Sequence, residues 1–164
     1  MKYKVLILGS GGREHAIAWS IIKDPQVKKI YCLPGNGGTE LIAENVSMDI
    51  NDFDSILNFV NNNNIDLIIV GPEGPLEFGI VDFFKNNNKK IFGPDKYSAQ
   101  LETSKVFARQ IMNESGVKQP NYNICTSKEE VVLLKIKKGL PLVIKVDGLA
   151  AGKGAYVCKS KGKG

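Results

Sequence analysis

Three apolar runs, each stopped by glycine or proline, constrain this chain more than any other feature. Val5-Leu6-Ile7-Leu8 ends at Gly9, Lys29-Ile30-Tyr31-Cys32-Leu33 at Pro34-Gly35, and Leu67-Ile68-Ile69-Val70 at Gly71-Pro72. A run that is apolar at every position needs cover on both faces, as a central strand of a parallel sheet has. Between the runs, residues 13–23 place Ile17, Ile21 and Ile22 close to one helical face before Asp24-Pro25 ends the pattern. Residues 52–60 likewise gather Phe53, Ile56, Leu57 and Val60 on one side. A shorter extended piece is expected around Val46, a helix over 76–85 and a strand at Ile91-Phe92. This cadence predicts an α/β fold, a doubly wound parallel sheet. Ligands of such sheets gather outside the carboxyl ends of the strands. Three of those ends carry Gly9-Ser10-Gly11-Gly12, Pro34-Gly35-Asn36-Gly37-Gly38 and Gly71-Pro72-Glu73-Gly74-Pro75. The chemistry is therefore expected along one edge.

After Gly93-Pro94 the rhythm changes. Residues 97–114 read as a helix stopped by Gly116, and 117–123 as a connecting segment. Thr126 with Glu129 forms a capping-box pattern that opens a helix to about Lys137. Strands at Leu142–Val146 and Ala155–Cys158 flank a loop, Asp147–Gly154. The expected division is a substrate-binding α/β domain over 1–94, a helical linker over 95–122 and the start of a second domain over 123–164.

Composition narrows the class. The apolar fraction of 43% and charged fraction of 24% are those of a soluble globular protein. No stretch approaches the roughly 20 apolar residues of a membrane span, and Val5–Leu8 is too short for a signal-peptide core. A cytoplasmic protein is expected. Cys32, Cys125 and Cys158 lie far apart with a single histidine in the chain, which supports neither a disulfide framework nor a zinc site. Residues 1–127 hold 13 basic and 14 acidic side chains, whereas 128–164 hold nine lysines against three acids. Aromatic residues are nearly absent from that basic section, so it offers no stacking platform for nucleic acid. The expected partners are small-molecule substrates, with no nucleic acid and no membrane, and the expected state is a monomer. The asparagine runs 61–64 and 86–88 fall where helices should end.

The first glycine loop leads from a strand into a helix. A helix N-terminus offers unpaired N–H groups and positive dipole charge to an anion, and Arg13 can add a planar fork to phosphate oxygens. Dinucleotide binding fails two tests. GxGxxG would need glycine where Glu14 stands, and the second strand ends without an acidic residue. A bare strand–helix turn is the alternative, and Glu73 could face either a substrate hydroxyl or solvent. The second dense signal is Lys145-Val146-Asp147-Gly148-Leu149-Ala150-Ala151-Gly152-Lys153-Gly154. As a Walker A loop its glycine spacing is one short, Gly154 replaces the hydroxyl residue, and a strand follows instead of a helix. Such a loop between strands can instead fold over a nucleotide as a flap, its amides on phosphate oxygens, with Lys145 and Lys153 neutralising charge. An unliganded hairpin is the alternative, although the entropic cost of several glycines argues for a use.

Taken in order, Gly9–Ala16, Pro34–Thr39, Gly71–Leu76, Phe92-Gly93-Pro94 through Gln100–Lys105, and Lys145–Gly154 resemble the phosphoribosylamine–glycine ligase family of ATP-grasp enzymes. The likeness runs over the whole chain. It implies a Rossmann-like domain ahead of an ATP-grasp domain. The implied activity is an ATP-dependent carbon–nitrogen ligation in purine biosynthesis, which joins glycine to phosphoribosylamine through a glycyl phosphate. It also implies that Gly11, Gly12, Arg13, Glu14, His15, Asn36, Gly37, Gly38, Thr39, Gly71, Pro72 and Glu73 bind the phosphoribosyl substrate. Lys105, Lys145, Asp147, Gly148, Leu149, Ala150, Ala151, Gly152, Lys153 and Gly154 are implied to bind ATP. Mg2+ is expected with the nucleotide, its ligands lying beyond residue 164. Gly37 and Gly74 depart from the family's usual residues without changing a charge. Family members are far longer, so the chain is expected to be inactive alone. The other readings are a different ATP-grasp carboxylate–amine ligase or carboxylase, and a non-catalytic nucleotide-binding module.

Overall fold

The computed structural model describes residues 2–150 and 152–159. The chain forms two compact units, residues 1–99 and 100–164.

In the first unit, strands β1 (Tyr3–Gly9), β2 (Val27–Pro34), β3 (Glu44–Asn45), β4 (Leu67–Val70) and β5 (Ile91–Phe92) make one parallel sheet in the order β3-β2-β1-β4-β5. Helices α1 (Gly12–Ile21), α2 (Phe53–Asn63), α3 (Glu73–Glu77) and α4 (Ile80–Asn86) connect them. Alternation along β1 sorts its side chains. Leu6 and Leu8 join Ile56 and Val60 of α2 and Ile80, Val81 and Phe84 of α4 in one apolar cluster. Val5 and Ile7 face the other way and join Ala18 of α1, Ile30 and Cys32. Helices on both faces explain why Val5–Leu8, Ile30–Leu33 and Leu67–Val70 carry no charged positions. The doubly wound parallel architecture is the one the apolar runs predict.

Strand order reverses at β1, whose neighbours are β2 and β4, and a doubly wound sheet opens its ligand crevice at such a reversal. Register then sets the level of the loops. Gly9 lies beside Pro34, and Leu8 beside Val70, so all three glycine-rich loops leave the sheet at one height.

The boundaries differ from expectation where a local conformation intervenes. The helix expected over 76–85 is two helices, because Gly79 adopts φ +85° between α3 and α4. Both asparagine runs end helices through one residue in the left-handed region, Asn64 at φ 52° and Asn88 at φ 56°, a conformation that asparagine tolerates better than most side chains. Asp52 caps α2 by accepting the Ser55 N–H at 3.0 Å.

After α5 (Lys96–Thr103), the second unit holds α6 (Lys105–Glu114), α7 (Lys128–Lys138) and an antiparallel hairpin of β6 (Leu142–Lys145) and β7 (Ala155–Cys158). The single helix expected over 97–114 breaks at Ser104, which is extended and accepts the Phe107 N–H at 3.1 Å. The cap of α7 sits one residue later than the expected box. Ser127 caps Glu130, while the Glu130 carboxylate accepts the Thr126 N–H at 2.6 Å. Among the described residues, the fully buried apolar side chains all belong to the first unit, and Val143, Tyr156 and Val157 of the hairpin are exposed.

Cys32 is fully buried on β2. Burial pushes its thiol up to about 11, the Thr39 hydroxyl opposing this and the Glu14 charge adding to it. At pH 8 the Cys32 thiolate is then scarce. Alkylation of the native protein should proceed at the partly exposed Cys125 and Cys158 at least about a hundredfold faster than at Cys32. Peptide mass spectrometry along a time course would show this order, and early labelling of Cys32 would contradict the packing.

Candidate functional site

In the first unit the ends of β1, β2 and β4, with the segment that follows β3, surround a cleft of about 660 Å3, a size typical of small-molecule sites. Its lining comprises residues 9–14, Pro34, Ile50, Asn51, 72–75 and Phe78. Helix α1 starts at this wall with Gly11 as its N-cap. The amides of Gly12 and Arg13, in its first turn, have no intrahelical acceptor. No atom lies within 4 Å of where a Gly12 Cβ would stand, so the backbone there is open to close approach.

Cross-links between loops fix the wall. Asn36 Nδ2 donates to Ser10 O at 2.9 Å, tying the second loop to the first. Arg13 donates to Gly71 O and its guanidinium stands 3.6 Å from the Glu73 carboxylate, tying the first loop to the third. The Arg13 side chain is 64% exposed, so most of its donors remain available. The second loop is itself held from below. Thr39, fully buried, donates its hydroxyl to Asn45 Oδ1 at 2.7 Å, and Asn45 Nδ2 donates to Asn36 O at 2.8 Å. Gly35, at φ +75°, leaves room for the Asn45 amide that any Cβ there would strike.

The residues implied by resemblance thus divide. Gly11, Gly12, Arg13, Glu14, Pro72 and Glu73 line the cleft. His15 and residues 36–39 do not belong to that lining. His15 lies instead against Gly38, and Asn36 and Thr39 brace the loop. Gly71 ends the β1–β4 ladder, its N–H donated to Leu8 O. Three lining residues, Ile50, Asn51 and Phe78, and the brace Asn45 escape the sequence reading. Ile50 and Asn51 follow β3. The rule that ligands gather at strand ends would have found them, had the short β3 been counted as a fourth end.

The second unit holds the other glycine loop. Lys145 pairs with Ala155 at the loop end of the hairpin, and Val146 N–H donates to Gly154 O at 2.8 Å, beyond which the connecting loop begins. Gly148 at φ +83° and Gly152 at φ +77° occupy the left-handed region. Asp147 anchors the loop to the start of α6, its carboxylate accepting the Val106 N–H at 3.2 Å and the Ser104 hydroxyl. Burial pushes the Asp147 carboxyl up. The N–H groups of Val106, Gly148 and Lys105 and the Ser104 hydroxyl outweigh it and hold the group below the usual aspartate value. Lys105 Nζ donates to Gly148 O at 2.7 Å. Lys145, Leu149, Gly152 and Lys153 are exposed, whereas Gly154 is buried against Ala150. Ala151 lies outside the described residues. Loop, Lys105 and Lys145 therefore belong to one neighbourhood built from α6 and the hairpin. Among the described residues no three His, Cys, Asp or Glu side chains converge as a metal site, and no helix is long and apolar enough to cross a membrane.

The N domain of phosphoribosylglycinamide synthetase matches residues 3–102, and its ATP-grasp (A) domain matches residues 103–164. A phosphoribosylamine–glycine ligase of Clostridium acetobutylicum is 48% identical over 95% of this chain and 38% of its own length. That of Escherichia coli K12 is 45% identical over 94% of this chain and 36% of its own. The chain thus spans under two fifths of the length of these relatives. A solved phosphoribosylamine–glycine ligase from Thermotoga maritima, 33% identical, superposes with a TM-score of 0.75 over 96% of this chain and 36% of that one. An N5-carboxyaminoimidazole synthetase from Staphylococcus aureus, solved with ADP, shares the fold at 17% identity and a TM-score of 0.74, covering 98% of this chain and 43% of its own. With both domains matched in order and relatives above 40% identical along the chain, this protein belongs to the phosphoribosylglycinamide synthetase family.

Proposed function

We propose that the chain contributes to an ATP-dependent ligase that joins glycine to 5-phosphoribosylamine, giving glycinamide ribonucleotide, ADP and phosphate. The observation that carries this reading is the cleft of the first unit. Its open amides at Gly12 and the cationic fork of Arg13 suit a phosphate monoester, and Glu73 and Asn51 beside them suit ribose hydroxyls or the amine. Residues 1–94 act as the substrate-binding domain, and Asn36 and Thr39 brace the second loop behind the bound sugar phosphate. In the second unit the amides of residues 148–154, with Lys145, Lys153 and Lys105, hold the ATP phosphates.

A glycine carboxylate oxygen attacks the γ-phosphorus, and the bond from that phosphorus to the ADP oxygen breaks. The amine nitrogen of phosphoribosylamine then attacks the carbonyl carbon, and phosphate leaves. Neutralising the phosphates and excluding water protect the acyl phosphate between the steps. Mg2+, which accompanies the nucleotide in this reading, would neutralise part of the phosphate charge. We take the protein as a cytoplasmic monomer that acts on small molecules.

The protein expressed from its whole reading frame, given ATP, glycine and phosphoribosylamine, should release ADP only when both glycine and the amine are present. ADP release that persists without the amine would end this reading.

A further inference from the structure

We propose that Glu14 is a positioning residue, a buried carboxylate that sets the distance between the first and third glycine loops and turns the crevice between them away from diphosphates. The proposal rests on the phosphoribosyl reading of the cleft.

Glu14 is only 4% exposed, although it is an acid in a loop-bordering first turn. One carboxylate oxygen accepts the Gly11 N–H at 2.6 Å, which closes the first loop on itself. The same side chain lies where a Cβ would stand on three glycines. On Gly9 that atom would come within 2.6 Å of Glu14 Cδ, on Gly11 within 2.9 Å of its Oε2, and on Gly71 it would overlap Oε1. Gly9, at φ +124°, needs glycine for its backbone as well. Gly71 has no such reason, and the three atoms nearest its missing Cβ all belong to Glu14. Glycine at 71 is thus a consequence of glutamate at 14, across 57 positions of sequence.

This arrangement bears on specificity. The crevice at the strand-order reversal is where dinucleotide folds of this architecture seat a pyrophosphate, approached closely through glycine backbone. Here a carboxylate occupies it, adding bulk and negative charge. An incoming phosphate is left the outer position, at the open Gly12 amide and beside Arg13. A single terminal phosphate fits there, and a diphosphate threaded along the crevice does not.

The test is a cycle of substitutions at positions 14 and 71 in the protein expressed from its whole reading frame. Gly71→Ala alone should lower the thermal midpoint by roughly 5 °C or more, because the methyl collides with Glu14. In a Glu14→Ala background the same change should be neutral or stabilising, since the methyl enters vacated space. Glu14→Ala should raise the KM for phosphoribosylamine about tenfold or more while leaving the KM for ATP within about twofold. Glu14→Gln, which keeps the shape and the acceptor for Gly11, should recover most of that loss. An equal cost of Gly71→Ala in both backgrounds would overturn the placement of Glu14. A uniform rise in every KM, or no rescue by glutamine, would overturn its positioning role. Absence of phosphoribosylamine-dependent turnover in the unsubstituted protein would remove the ligase reading instead, and the midpoints would still judge the contact.

Discussion

Replacing Lys145 by alanine should reduce kcat/KM for ATP by about a hundredfold or more, equivalent to roughly 2.7 kcal/mol of transition-state stabilisation. Lys145 ends β6 at the mouth of the loop, opposite Ala155, with its side chain exposed and, in the proposed complex, free to meet a phosphate. Charge on the transferring phosphoryl group must be balanced where water is excluded, and an ammonium aimed there is worth far more than one in solvent. The thermal midpoint of the first unit should not move, because the apolar clusters that hold it are built from residues between Val5 and Ile91. Lys138→Ala, at the end of α7, is the matched control and should change kcat/KM by less than about twofold. Steady-state kinetics at saturating glycine and phosphoribosylamine read both. Equal small effects at the two lysines would remove Lys145 from the nucleotide site.

The second large effect is on stability. Phe84→Ala should cost about 3–5 kcal/mol. Phe84 is fully buried on α4 and meets Phe83 edge-on at 5.3 Å between ring centroids. It belongs to the cluster that binds α2 and α4 to the β1 face through Leu6, Leu8, Ile56 and Val60. Removing a whole ring from a close-packed layer loses transfer free energy and leaves a cavity that helices anchored at several points cannot close. Denaturant unfolding would measure the change, and the molecules that remain folded should keep the substrate affinities of the unsubstituted protein. A loss below about 1 kcal/mol would mean that the layer relaxes around the gap, contrary to its packing.

The site was legible in the sequence to the extent that it depends on local chemistry. Glycine and proline at the ends of Val5–Leu8, Lys29–Leu33 and Leu67–Val70 mark where the chain must leave a buried strand. Strand ends are where ligands bind, so the three loops could be named in advance. The loop after Lys145 differs from a Walker A loop in its spacing and in the strand that follows it. Roles within the loops were less visible. Thr39 has the side chain of a ligand contact, yet it is buried as a brace because β3 brings Asn45 beside it. Ser104 breaks a helix that propensity would continue, because its hydroxyl satisfies an amide at the start of α6.

Unaided, the amino-acid sequence determined the layer architecture and the edge at which the glycine-rich loops gather, because apolar periodicity and glycine placement act over a few residues at a time. Tertiary structure alone decided which loop touches which. Glu14 and Gly71 become neighbours only because β4 pairs with β1 in the register Leu8 to Val70. That pairing is a choice among strand orders, made by the packing of helices on both faces of the sheet. No short-range pattern encodes it, so a buried carboxylate at the sheet edge, and the glycine it demands far along the chain, appear only once the sheet is assembled.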